Sequence, residues 1–362
     1  MSFDYIKKVI LTIIEEEIKE KSQHEIIVEP MKKCITMYLP NYSKSNRPSF
    51  EQSDLNKFLS WISHKIQNEE IENNQIHVIC HKKLMKNFLK KNHPKLFDTY
   101  QHTFDTHHGW SITGNIGGKN ITISRHGFSV ANGLKLKGQC SKSVDEIDAK
   151  LSIWGIITML LLRKSSIHVS HVYVSPLIRA WMTAILLYLG TSKNLIVEVA
   201  PYIIEDDIGK NNLTDTEHEQ MKNIKHFLNF ITGVLVEILI TEINQLKEKN
   251  KLRILNTLVS NLNNMKRCKL VIQYNNVYTY IFKTNQWSCI KTYKKKENNY
   301  IILSDSNITN CEIKKGYVKP VADLFDATLE PFQNNNIKQI WNVKKYTFKN
   351  KQKNKKQTIR SK

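Results

Sequence analysis

The 362-residue chain has only six cysteines, Cys34, Cys80, Cys140, Cys268, Cys289 and Cys311, and no two of them form a Cys-x-x-Cys pair. That spacing argues against a zinc site and against a disulfide framework, and leaves reduced, mostly buried thiols as the expectation. No apolar run approaches the length of a bilayer span. The longest, Ile153–Leu162, contains Trp154 and Gly155, is followed by Arg163 and reads as a buried helix. The N-terminal stretch Met1–Lys21 carries the acids Glu15–Glu17, which a secretory signal lacks. A soluble, intracellular, most simply cytoplasmic protein with no membrane span is expected. Acid is scarce beside base: 54 Lys and Arg stand against 33 Asp and Glu, a formal net charge of +21. Such a balance favours anionic partners: phosphorylated small molecules or proteins, nucleic acid, or an anionic membrane surface. Nine of the cations fall in Lys344–Lys362, which holds no acid and reads as a disordered basic tail, leaving +12 for the rest. The excess of Lys, Asn and Ile also suits a genome poor in G and C, such as that of a large DNA virus or a protist.

Hydrophobic periodicity gives the organisation. Residues 1–47 read as an amphipathic helix (Ile6, Val9, Ile10, Ile13, Ile14) and an extension with strand-like pieces at Glu25–Val28 and Cys34–Tyr38. Ser49-x-x-Gln52 is a capping-box pattern ahead of a helix with Leu55, Phe58, Leu59, Ile62 and Ile66 on one face. Ile76–Cys80 reads as a strand, followed by His81 and a helix through Leu84, Met85, Phe88 and Leu89. A strand at Gly109–Gly114, the turn Asn115–Asn120 and a strand at Ile121–Ser124 form a hairpin signal. Helix and strand then alternate: Ser152–Leu162, Val172–Val174, Leu177–Leu189 and Leu195–Val199. The alternation from about 50 to 205 predicts an α/β sheet. Residues 216–265 are helical in pattern, and β-like runs follow from Leu270. Trp61, Trp110, Trp154 and Trp181 sit in apolar patterns and read as core. His107-His108 reads as a loop.

The chemistry concentrates where the strand Ile121–Ser124 ends in Arg125-His126-Gly127, with Ser129 and Asn132 behind it. A histidine beside an arginine at the carboxyl end of a buried strand pairs a nucleophile with an anion clamp, in the place where open α/β sheets bind ligands. Gly127 would let the backbone turn sharply there. Three further pieces follow in order: Asp148-x-x-Leu151-Ser152-x-x-Gly155, Ser175-Pro176-Leu177-Ile178-Arg179-Ala180, and Glu205-x-x-x-Gly209.

This succession resembles the histidine phosphatase (phosphoglycerate mutase-like) superfamily. The resemblance covers roughly residues 48–215. It implies an α/β fold, a three-layer sandwich with a mostly parallel sheet. It also implies a second catalytic histidine at the end of another strand. Downstream, Lys269–Tyr274 offers Gln273 and Tyr274 where that histidine would stand. Upstream, Ile76–Cys80 ends in His81, so the resemblance implies a circularly permuted member whose closing segment, about 48–114, precedes Arg-His-Gly. Permutation is tolerated where the original termini lie close together. Lys82 departs from the pattern, which has Gly or Asp after the histidine. The expected division is 1–47 N-terminal extension, 48–215 catalytic domain, 216–343 helical insertion and β-rich C-terminal α+β region, and 344–362 basic tail.

Carried onto this sequence, the family's chemistry makes His126 the nucleophile that forms a phosphohistidine, later hydrolysed by water. Arg125 and Arg179 would clamp phosphate oxygens, and Asn132 would donate a further bond. His81 would stabilise charge on the equatorial oxygens. Glu205 occupies the position of the acid that protonates the leaving oxygen, with Asp206 and Asp207 as rivals. No cofactor and no metal is called for. Asp148 and Ser152 read as caps of the helix that follows. The expected activity is hydrolysis of a phosphate monoester on a small molecule or a phosphoprotein. Two readings of other classes stand beside it. One is a catalytically inactive phosphatase fold used as a binding module. The other is nucleic-acid binding through the basic tail and the aromatics Tyr278, Tyr280, Phe282 and Trp287.

Overall fold

A computed structural model describes residues 6–7, 10–11, 14, 53–71, 73–99, 107–108, 110–132, 147–163, 166–205, 214–290, 309–314 and 317–318. The expected capping box at Ser49 and Gln52, the strand-like pieces before residue 47 and the basic tail lie outside these residues. The first helix with a described span, α1 (Leu55–Gln67), is capped by Asp54, whose carboxylate accepts the amides of Asn56 and Lys57. Strand β1 (Gln75–Cys80) and helix α2 (Lys82–Asn92) follow, with His81 between them. Strand β2 (His107–His108) pairs with a two-residue strand near the C-terminus, where a loop was expected. Strands β3 (Ser111–Ile116) and β4 (Lys119–Arg125) form the expected hairpin. Gly117 and Gly118 turn it with φ of 55° and 78°, the pair of positive angles that a tight two-residue hairpin turn requires.

Beyond the hairpin come α3 (Ile153–Leu162), β5 (His171–Val174), α4 (Ile178–Tyr188) and β6 (Asn194–Val199). A long helical stretch leads on: α5 (Glu217–Asn229), a π-helical turn at Phe230–Val234, α6 (Leu235–Gln245) and α7 (Lys249–Met265). Strands β7 (Lys269–Gln273), β8 (Val277–Ile281), β9 (Gln286–Ile290), β10 (Thr309–Lys314) and β11 (Tyr317–Val318) complete the order.

The protein is α/β. One nine-stranded sheet runs β10-β3-β4-β1-β5-β6-β7-β8-β9. Its centre, β4-β1-β5-β6-β7, is parallel, and every pair outside it is antiparallel. The sheet is therefore mixed rather than mostly parallel, because short turns fold it back on itself at both ends of the parallel core.

Alternation of side chains along each strand decides how the sheet is covered. In β1, Ile76, Val78 and Cys80 pack with α1 and α2, while Ile79 faces the cluster that holds α3 and α4. In β5, Val172 and Val174 turn to the second cluster and Tyr173 to the first. Helices thus lie on both faces. The four tryptophans read as core are buried. Tyr280 is buried as well, with Phe282 and Trp287 packed around it at centroid distances of 4.9 Å each.

The boundary expected at 215 does not interrupt this sheet. Residues 217–265 are the crossover between the parallel neighbours β6 and β7, a connection that parallel pairing demands, and β7–β9 extend the same sheet. Glu217–Gln245 is also a helical stretch long and apolar enough to cross a membrane by composition. No such stretch was expected from the sequence, because charged residues break its apolar runs. Its Met221, Ile224, Phe227, Ile231, Leu235 and Leu239 are built into the main core. Ile6, Ile10 and Ile14 of the expected apolar stripe of the N-terminal helix are buried in that core too, and Val9 and Ile13 lie outside the described residues.

Candidate active site

Three neighbouring parallel strands, β4, β1 and β5, end on one edge of the sheet. Chain leaving β1 enters α2 on one face, and chain leaving β4 reaches α3 on the other. Such a reversal opens a crevice at the carboxyl ends of the strands. His81 closes β1 and His126 closes β4. The backbone knits the three ends together: the His126 amide donates to the Cys80 carbonyl at 3.1 Å, and the Ser175 amide donates to the Ile79 carbonyl at 3.0 Å.

In this crevice the His81 and His126 rings stand with centroids 5.1 Å apart. Arg179, in the first turn of α4, donates from Nε to His126 Nε2 over 3.3 Å and from a terminal nitrogen to Glu205 Oε2 over 3.1 Å. Glu205 Oε2 is also 3.4 Å from His81 Nδ1. The two histidines, Arg125 and Arg179 are buried, whereas the Glu205 side chain is 16% exposed, so it marks the mouth of the site.

Both histidines are held neutral. Burial drives the His126 pKa well below its usual value, and the cationic Arg179, the neighbouring His81 and the cationic Arg125 push the same way, against a smaller opposite pull from Glu205. Burial also lowers His81, reinforced by Arg179 and Arg125. The His126 tautomer follows from its bonds. Nδ1 lies 2.6 Å from the Gly127 carbonyl, which can only accept, so the proton is on Nδ1. Nε2 keeps its lone pair, which Arg179 faces. His81 Nε2 lies 2.6 Å from Ser175 Oγ, and that oxygen already accepts the Leu177 amide. A hydroxyl can donate to an imidazole nitrogen or accept from it, so this bond orients the His81 ring, with Nδ1 turned toward Glu205, without fixing which nitrogen carries the proton. Cys80, beside His81, is no rival nucleophile, because burial pushes its thiol pKa far up.

The loop after β4 owes its shape to packing. A Cβ on Gly127 would meet Met159 Cγ at 2.7 Å, and one on Gly155 would meet the Phe128 carbonyl oxygen at 2.1 Å. Both glycines let α3 close against the histidine loop. At Gly127 this close approach, and not the sharp turn expected from sequence, is what excludes a side chain. Thr183 ties the loop from the other side: its Oγ1 accepts the Gly127 amide at 3.0 Å and donates to the Arg179 carbonyl at 2.7 Å.

Asn132 bonds to Ser129 through its side-chain oxygen and its backbone amide. Its Oδ1 accepts the Ser129 amide and hydroxyl at 3.0 and 2.9 Å, and Ser129 Oγ accepts the Asn132 amide at 3.3 Å. That reciprocal pair, three residues apart, is a helix cap; it engages Oδ1 and the backbone amide, whereas the donor expected for phosphate is Nδ2. Ser152 caps α3 as expected, accepting the Gly155 amide at 3.1 Å. Asp148 caps a different helix from the one expected. Its Oδ1 accepts the Ile178 amide at the start of α4 at 2.8 Å, and its Oδ2 accepts Gln220 Nε2 at 2.6 Å. Asp148 thereby fixes the end of α4 that carries Arg179. Burial raises its pKa to about 6. Asp206 and Asp207 lie outside the described residues.

Sequence reasoning gave no role to Ser175 or Thr183. Ser175 stood inside a quoted motif at a strand end, and Thr183 lies one helical turn beyond Arg179, a spacing that lets a hydroxyl reach back to a carbonyl.

Ligand atoms of His81, His126 and Glu205 lie within 4.8 Å of one another, close enough to hold a metal ion. Two guanidinium groups share the crevice, however, and their charge opposes a cation and favours an anion. Helices α2 and α4 also start at the crevice, and helix N-termini carry positive partial charge. Comparison with family models, with curated proteins and with solved structures returned no match.

Proposed function

We propose that this protein is a metal-independent phosphatase that hydrolyses a phosphate monoester through a phosphohistidine. In this reading it is a circularly permuted member of the histidine phosphatase superfamily with a phosphoglycerate mutase-like three-layer fold. The observation that carries the proposal is the neutral His126, with its proton committed to the Gly127 carbonyl and its Nε2 lone pair facing the guanidinium of Arg179.

Phosphoryl transfer asks a protein chiefly for positioning and charge neutralisation. Arg125 and Arg179 take the phosphoryl oxygens, and His81, oriented by Ser175, donates its Nδ1 proton to one of them. His126 Nε2 attacks phosphorus, the N–P bond forms, and the bond to the ester oxygen breaks in line with it. The ester enters as its monoanion; once Arg179 has turned to the phosphoryl oxygens, Glu205 at the mouth takes that proton and passes it to the departing oxygen. Water then attacks the phosphohistidine, Glu205 takes a proton from that water, and phosphate leaves His126 as a free imidazole. A neutral imidazole is the form that can attack, and the burial that lowers the His126 pKa keeps it in that form.

The test is hydrolysis of an aryl phosphate in EDTA, from acid to neutral pH, by the wild type and by His126→Ala. The expected result is EDTA-resistant turnover, an acid-labile, alkali-stable phosphoenzyme, and loss of both in a folded variant. Absence of turnover in either protein would favour the inactive binding module. Activity that EDTA abolishes would favour a cation held by His81, His126 and Glu205.

A further inference from the structure

Gly127 is hydrogen-bonded at both of its backbone ends. Its carbonyl accepts the His126 Nδ1 proton at 2.6 Å, and its amide donates to Thr183 Oγ1 at 3.0 Å. The same hydroxyl donates to the Arg179 carbonyl at 2.7 Å. One fully buried side chain thus joins the loop that carries His126 to the helical turn that carries Arg179. The bond to Arg179 is ordinary. A threonine inside a helix commonly bonds the carbonyl one turn back, and Thr232, in the crossover between β6 and β7, does the same to Leu228 at 2.8 Å. The bond from Gly127 follows from no helix pattern, since it spans 56 residues of chain.

Glycine has the backbone that turns most easily. Gly127 is buried, so its amide has to find its partner within the protein. Met159 packs against this residue, but an apolar contact does not select one direction for an amide. Whatever holds the Gly127 amide also steadies the carbonyl of the same residue, and that carbonyl decides which His126 nitrogen carries the proton.

We propose that Thr183 is a positioning residue, which by holding Gly127 commits the His126 proton to Nδ1 and keeps the Nε2 lone pair facing Arg179. The proposal rests on the phosphatase reading only for its effect on turnover, because the tautomer belongs to the free protein.

Thr183→Val keeps the shape of the side chain and removes the hydroxyl. In ¹⁵N spectra of the histidine-labelled protein, wild type should show His126 as the Nδ1–H tautomer alone, and Thr183→Val should show the Nε2–H tautomer beside it. The kcat of this variant on an aryl phosphate should fall by about 10- to 100-fold, the scale of a small misplacement of reacting groups, with KM changed far less. Thr183→Ser, which restores the hydroxyl, should recover both. Thr232→Val removes a buried hydroxyl of the same back-bonded kind and should alter neither. Thr183→Ala gives the same readouts if Thr183→Val does not fold. An unchanged His126 tautomer in the variant without the hydroxyl would overturn the proposal, whether or not kcat falls. So would a change that Thr183→Ser does not reverse, or one that Thr232→Val shares. A tautomer that depends on Thr183 in a protein without turnover would uphold the positioning role and sink the phosphatase reading.

Discussion

Arg179 donates to His126 through Nε at 3.3 Å, on the ring nitrogen opposite the one bonded to Gly127. The pair fixes which nitrogen carries the proton and fixes it neutral. In ¹⁵N spectra of the histidine-labelled protein, His126 should therefore remain the neutral Nδ1–H tautomer at pH 6.5 and below. The acid limb of kcat/KM, which reports the free enzyme, should likewise lie below pH 6.5. A limb at or above 6.5 would mean that His126 titrates as an ordinary imidazole. Arg179→Lys, which keeps the charge but loses the planar fork, should raise KM by about tenfold or more.

Glu205 bridges Arg179 and His81 at the mouth of the site. If it supplies the proton to the leaving oxygen, its removal should matter in proportion to how poor the leaving group is. Glu205→Gln should cost on the order of 100-fold in turnover of an alkyl phosphate and far less for an aryl phosphate with an acidic phenol. Equal losses on the two substrates would assign Glu205 to positioning Arg179 instead.

Gly155 leaves no room for a methyl group. Gly155→Ala should destabilise the fold by about 1–3 kcal/mol, the usual cost of overpacking, and should loosen the His126 loop. Chemical denaturation reads the first effect, and the second is a fall in kcat larger than the change in KM. A variant of unchanged stability would show that α3 can shift away from the loop.

His77 is buried beside Tyr188, and burial lowers its pKa to about 4. Its unfolded value is higher, so the unfolded chain binds more protons between the two. The stability it contributes is present above pH 6.5 and is lost as pH falls toward 4, about 3 kcal/mol in all. Asp148 works in the opposite sense. Its pKa is raised to about 6, so its contribution is full below pH 3.8 and is lost as pH rises through 6. Replacing His77 by Phe should therefore reduce the fall in Tm between pH 6.5 and 4. An unchanged profile would remove His77 from the account.

The elements that hold the site were legible in the sequence because their signals are local. Ile76–Cys80, Val172–Val174 and Leu195–Val199 are short β-branched runs, and each is a strand with ends shifted by one residue or none. That His81, His126, Arg179 and Glu205 converge was legible only through motif order, since no local pattern tells which strand neighbours which. Long-range pairing escaped altogether. Nothing in Thr309–Lys314 announces that it joins β3, or that Lys269–Gln273 continues the sheet begun by β6. The cap made by Asn132 was not read either. A side chain three residues past a serine can cap a helix through its oxygen and serve an anion through its nitrogen, and the spacing alone does not show which bonds it makes.

The pairing of β10 with β3 joins segments about 200 residues apart in the chain, the kind of contact that forms late in folding. During synthesis on the ribosome, β3 waits with one row of amides and carbonyls open until Thr309–Lys314 has emerged. Chains cut short before Thr309 would keep that row exposed for good, and open strand edges recruit other chains. Solubility of this protein should therefore depend on a segment remote from its chemistry.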